Sequence, residues 1–140
     1  MSATGWSHAE AGADVEVRGW GRTRGEAFAQ ATLGVFAVLI APDAIQSGEQ
    51  REVRAQADTA EALLAAWIEE CLYVHEIEGF VARAVEMTVC TDRLAHGVLE
   101  GEPVDPVRHH SRLVKGTARR RALVTVKDGL HEATVVVQTG

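Results

Sequence analysis

At 140 residues, 46% hydrophobic and 24% charged, the chain has the length and composition of one folded domain, which excludes disorder along most of it. Its 20 acidic residues against 14 basic ones give a formal charge of −6, which excludes the basic footprint of a free-standing nucleic-acid binder. Two cysteines, Cys71 and Cys90, with no CxxC between them, exclude a disulfide framework and a cysteine-rich zinc site, and read as buried thiols of a reducing compartment.

The N-terminal residues 1–12 are expected to be flexible. No basic stretch followed by an apolar one marks a signal peptide there, and the apolar stretch at residues 27–41 is too short and interrupted to cross a bilayer. Both observations point to the cytoplasm. Val15 and Val17 alternate with Glu16 and Arg18, so residues 13–19 read as a half-buried strand. Thr23 and Glu26 form a capping box, with Glu26 reaching back, and Ala27, Phe28, Ala31, Val35, Phe36 and Leu39 follow at helical spacing. Pro42 closes that first helix.

Residues 52–57 alternate as a second strand. Asp58 or Thr59 then caps a second helix over residues 60–77, with Leu63, Leu64, Trp67, Ile68, Cys71, Leu72 and Val74 on its apolar face and Gly79 at its C-terminal end. Strands are expected at residues 80–91, 94–100, 113–118, 122–127 and 133–138, the last two joined by the tight-turn pair Asp128-Gly129. The order βαβα followed by strands predicts a single α+β domain spanning residues 1–140. It is a two-layer sandwich, with two amphipathic helices on a mixed, largely antiparallel sheet.

Few residues assemble into chemistry. The six histidines lack the i, i+4 spacing of a helical metal pair, and His75 sits where the negative end of a helix dipole favours its imidazolium. No serine lies in a GxSxG elbow and neither cysteine in a nucleophile context. Gly19 and Gly21 make a GxG without the third glycine, which reads as turn or strand-end glycines. The run Arg119-Arg120-Arg121, with Lys115 before it, reads as a solvated edge that discourages sheet-to-sheet pairing, with an anionic contact as the alternative. Asp14, after the small Ala11-Gly12-Ala13, is either a hard-cation ligand at a strand end or a turn residue bonding its own backbone.

Four places carry a family resemblance. Ala13-Asp14-Val15 is followed by Gly21-Arg22-Thr23 and Glu26-Ala27-Phe28. Leu63-Leu64 and Trp67 lead to Glu70-Cys71-Leu72-Tyr73, and then to Glu78-Gly79-Phe80. Gly101-Glu102-Pro103-Val104-Asp105-Pro106 precedes His109, with Lys115 beyond it. In this order they resemble the archease family over nearly the whole chain, from about residue 14 to the C-terminus.

The resemblance implies a similar fold and a chaperone-like protein cofactor that is not itself an enzyme. Such a cofactor promotes guanylylation and turnover of an RtcB-type RNA ligase in tRNA splicing or RNA repair, and meets RNA only indirectly. It also implies a divalent, calcium-like cation at Asp14 and a partner interface drawing on Asp105, His109 and Lys115, the lysine contacting ligase or nucleotide.

The chain departs from the family pattern at three places. Ala11-Gly12-Ala13-Asp14 stands where the family has His-Thr-Ala-Asp. Gln138 stands at the C-terminal aspartate position, which lowers the charge offered to a cation. Arg119 and Arg120 stand at a Tyr-His pair. These changes motivate a second reading, a family-derived binding or chaperone-like module that no longer activates a ligase. A third is a metal-dependent hydrolase using Asp14, His109 and His110. The sequence does not fix the oligomeric state, so self-association stays an open alternative.

Overall fold

The computed structural model describes residues 3–110, 112, 114–117 and 121–139. Among them the chain forms β1 (Gly5–Ala11), β2 (Asp14–Gly21), α1 (Arg24–Leu39), β3 (Glu49–Gln56), α2 (Ala60–Glu78), β4 (Phe80–Cys90), β5 (Leu94–Pro103), β6 (Val114–Thr117), β7 (Leu123–Lys127) and β8 (Leu130–Thr139).

Both helices begin on a threonine. The Thr23 hydroxyl accepts the Glu26 backbone N–H at 3.0 Å, and the Thr59 hydroxyl accepts that of Ala62 at 3.1 Å, each filling one donor that a helix start leaves unpaired. Thr59, not Asp58, is therefore the cap of α2. The expected reach-back of Glu26 ends on the Thr23 hydroxyl, at 3.3 Å. α2 stops where Gly79 takes the left-handed conformation, φ 61° and ψ 49°, which glycine adopts without a Cβ clash. α1 stops one turn earlier in kind: Ile40 is already extended, two residues ahead of Pro42.

The α+β class holds, with the two helices packed on antiparallel sheets. The sheet itself is divided. One sheet runs β1-β2-β8-β6, with β7 also on β8, and the other runs β3-β5-β4. Every pairing among the described residues is antiparallel. A parallel β2–β3 neighbour is ruled out because both edges of β2 are already taken, by β1 and by β8. β3 pairs instead with β5, in the second sheet.

β1 is the strand that closes that edge, and it replaces the flexible segment expected at residues 1–12. It pairs with β2 from Gly5↔Trp20 to Ala11↔Asp14 through a turn with Gly12 at φ 62°. From Ser7 onward its residues are exposed on both faces, so no apolar alternation marks it in the sequence.

α1 lies between the two sheets, against β1, β2 and β8 on one side and β4 on the other. Its Phe28, Ala31, Val35 and Phe36 join one cluster with Val15, Val17, Val135 and Val137 of the larger sheet and with Phe80, Val81 and Leu99 of the smaller. α2 adds Leu63, Leu64, Trp67, Ile68 and Cys71, the face its spacing predicts. The two helices are tied by a buried hydrogen bond. Trp67 Nε1–H donates to Thr32 Oγ1 at 2.8 Å, and that hydroxyl donates to the Phe28 carbonyl at 2.6 Å. Both polar groups are thus satisfied inside the core. No described helix is long and apolar enough to cross a membrane.

Gly21 ends β2, as a strand-end glycine, whereas Gly19 is a contact point inside the strand. A Cβ on Gly19 would stand 2.2 Å from the Ala31 backbone nitrogen and 2.6 Å from the Ala27 carbonyl oxygen. Helix backbone meets strand backbone there, with no room for a methyl group. Gly19→Ala should therefore cost about 1–3 kcal/mol or more by overpacking. The check is urea unfolding, where the midpoint should fall with the slope unchanged.

Candidate functional site

The β2–β8 ladder brings Asp14 and Gln138, 124 positions apart in the chain, directly opposite each other. The neighbouring pair, Ala13 and Thr139, shares a backbone bond: Thr139 N–H donates to the Ala13 carbonyl at 2.7 Å. Bonded and non-bonded pairs alternate along an antiparallel ladder, so Asp14 and Gln138 are a non-bonded pair with their side chains on one face. β6 extends the row, with Gly116 beside Gln138.

Three features decide what this end can hold. The Asp14 carboxylate accepts a hydrogen bond from the Arg121 guanidinium at 3.0 Å, so a cation already sits on it. The Ala13 carbonyl takes two bonds, from Thr139 N–H and from Thr139 Oγ1 at 2.8 Å, which uses both of its lone pairs. Gln138 is exposed and neutral. A hard divalent ion wants six to eight oxygens with carboxylates among them. Here it would meet one carboxylate, one amide oxygen and a guanidinium. Glu16 shares the Asp14 face one strand repeat away, about 7 Å, opposite Val136. Among the described residues no group of three or more His, Cys, Asp or Glu side chains is placed to hold a metal. The described residues of this end, with a guanidinium on the one carboxylate of the row, do not fit a divalent cation.

The turn at residues 101–109 is clamped from within. Glu102 receives the Arg108 guanidinium, the Gln46 backbone N–H at 2.5 Å and, at 3.3 Å, His109 Nε2. Asp105 Oδ1 accepts Val107 N–H at 2.9 Å, and its Oδ2 accepts Arg108 Nε–H at 3.1 Å. The His109 ring is buried and both nitrogens are used. Nδ1 accepts the Asp105 N–H at 2.8 Å, which leaves the proton on Nε2 to donate to the Ala44 carbonyl at 3.0 Å. His109 thus shapes the turn from inside, whereas Asp105 is partly exposed and Val107 stands out at its tip, 85% exposed. The Arg108 guanidinium, with the Gln46 N–H, pulls the Glu102 carboxyl down to about 2, and the Val107 N–H, with Arg108, holds Asp105 below its ordinary range.

Arg112 joins the turn to the strand ends. Its N–H donates to the Leu39 carbonyl at 2.8 Å, and its guanidinium reaches Glu10 at 2.6 Å and Thr139 Oγ1 at 3.3 Å. Lys115 lies where the register of β6 shifts, and it borders a shallow cavity of about 240 Å³ with Glu69, Tyr73 and Glu76 of α2. It is therefore next to the Asp14–Gln138 row along the backbone, while its side chain borders α2.

Arg112 and Arg121 are the residues that sequence reading passes over. Arg121 belonged to a basic run, and nothing in its spacing links it to a carboxylate 107 positions away. Arg119, Arg120, Ser2 and Ser111, and the ends of the expected strand at Leu113 and Ala118, lie outside the described residues.

The remaining candidates are held inert. Burial pushes the Cys71 thiol well up and the Cys90 thiol to about 11, so neither is a ready thiolate. Burial also lowers His75, against the helix-end effect expected of it, while its Nδ1–H donates to the Phe80 carbonyl at 3.0 Å.

These features define a small α+β domain whose charged end is made of strand termini and a clamped turn. The sequence profile described as the Archease protein family (MTH1598/TM1083) matches residues 6–138. A protein archease of Methanopyrus kandleri is 31% identical over 137 residues, 94% of this chain and 97% of that protein. Those of Thermococcus kodakarensis and Pyrococcus abyssi are 34% and 32% identical over 110 residues, 76% of this chain and 78% of each relative. The solution structure of Methanobacterium thermoautotrophicum protein 1598 superposes with a TM-score of 0.79 at 22% identity, over 96% of this chain and 98% of that one. The chain belongs to the archease family.

Glu102 gives a pH signature. Its folded value lies below its ordinary 4.5, so its contribution to stability is complete above pH 4.5 and is lost as pH falls toward about 2. Thermal melts of wild type and Glu102→Gln should differ by a constant amount above pH 5 and converge between pH 4.5 and 2.

Proposed function

We propose that the chain is a protein cofactor for an RtcB-type RNA ligase, promoting its guanylylation and turnover in tRNA splicing or RNA repair without joining RNA itself. The observation that carries this reading is the family match over residues 6–138, which runs through the whole charged end, from β1 to Gln138. The role suits a cytoplasmic protein, and with a net charge of −6 the chain meets RNA only through its partner.

The shape of the surface supports the reading. A protein that speeds a partner's chemistry does so by binding one conformation of that partner more tightly than another. A turn already fixed by Glu102, Asp105 and His109 loses little further freedom when it docks, so more of its contact energy remains for that discrimination. Val107 supplies an apolar tip and Arg108 a charged flank. Lys115, exposed beside α2, is the contact for the ligase or its nucleotide.

A second reading, a family-derived binding module that has lost activation, is favoured by the departures at Ala11, Gln138 and Arg119-Arg120. One experiment separates the two. The purified protein is mixed with an RtcB-type ligase, GTP and Mn²⁺, and covalent guanylylation is timed. The proposal expects faster guanylylation than with ligase alone, and Val107→Asp or Lys115→Glu should raise the half-maximal concentration about tenfold, as for a contact worth about 1.4 kcal/mol. Binding without acceleration would replace the first reading by the second.

A further inference from the structure

We infer that Arg121 takes the place of a cation at the end of the β2–β8 ladder, so that this chain balances the charge of Asp14 from within and holds no divalent ion there. The inference concerns the same end of the molecule as the proposed function but is tested by ion binding alone. Ligase activation can fail without touching it.

Charge arithmetic carries it. Asp14 with Arg121 is a neutral pair, one negative charge against one positive, joined by a hydrogen bond of 3.0 Å. A divalent ion added to that pair leaves two uncompensated positive charges, because the residue opposite Asp14 is the neutral Gln138. Two carboxylates facing each other across the ladder would instead be neutralised by one divalent ion. Gln138 thus offers no second negative charge, and Arg121 supplies the positive charge that the single carboxylate of Asp14 pairs with.

Geometry adds a second reason. The backbone oxygen of the adjacent Ala13 is saturated by Thr139, so that carbonyl is not left to fill out a coordination shell. The guanidinium needs none, since one carboxylate oxygen satisfies the N–H that faces it. A tethered side chain also keeps its charge in place at any ion concentration, whereas an ion at a weak site comes and goes with its supply.

The test is calorimetric titration of Ca²⁺ and of Mn²⁺ into protein stripped with a chelator, alongside thermal melts in each ion. Wild type should show no saturable binding tighter than about 1 mM, the range of weak multi-oxygen calcium sites. The double variant Arg121→Gln, Gln138→Asp should bind Ca²⁺ at least tenfold more tightly than wild type and melt higher in its presence. Pairing Gln138→Asp with Arg121→Lys, which keeps the positive charge, should gain less. Saturable wild-type binding that Asp14→Asn abolishes would overturn the inference. So would a folded double variant with wild-type affinity. If circular dichroism shows the double variant unfolded, Arg121→Gln alone should bind Ca²⁺ more tightly than wild type, and an unchanged affinity would overturn it equally.

Discussion

The charged end is located by the contact of the α1 backbone with β2 at Gly19. Because no side chain separates them there, α1 is seated on the strand at a fixed depth, and its opposite flank is carried against β4 of the second sheet. The apolar cluster closes around that wedge, with α2 held to it through Trp67 and Thr32. A β2 pinned in this way can meet β8 in one register only, since a slip of one residue would turn Val135 and Val137 of β8 out of the core. That register sets Asp14 opposite Gln138. The position of the site is thus a consequence of core packing some way from it.

The electrostatics of the site divide into two kinds. The Arg121–Asp14 pair is well exposed, with side-chain accessibilities of 54% and 37%, so water and salt screen it and it adds little to stability. Its significance is local, in deciding what a second charged group would meet at Asp14. The Glu102 pairings are different in purpose. A carboxylate 12% accessible receives Arg108, a backbone N–H and the edge of His109 at once, and the result is a turn of one shape. One device sets a charge and the other a contour. Arg112 spans them through Leu39, Glu10 and Thr139.

Much of this was legible in the sequence where a periodic pattern exists. Both helices announce themselves by apolar residues at helical spacing between a threonine cap and a Pro or Gly stop, and β4 through β8 appear with ends displaced by a few residues. β1 was invisible because its outer residues face water on both sides. The βαβα order suggested one mixed sheet, and strand pairing, which spacing does not encode, makes two antiparallel ones. Asp14 and Gln138 were paired by family resemblance before any geometry, and the ladder gives their juxtaposition a physical cause. Arg121 could not be found that way. No local spacing encodes a contact across 107 residues. The resemblance placed His109 at a partner interface, and its ring is buried and faces inward to the Ala44 carbonyl.

The proposed role requires the charged end of the domain to be the face that meets a ligase. Hydrogen–deuterium exchange of the protein with and without a stoichiometric RtcB-type ligase addresses that face directly. Slowed exchange at residues 12–14, 104–110 and 114–116, with β3 unaffected, is the predicted result. Protection confined to β3 and the distant part of the three-stranded sheet, or no protection anywhere, would contradict it.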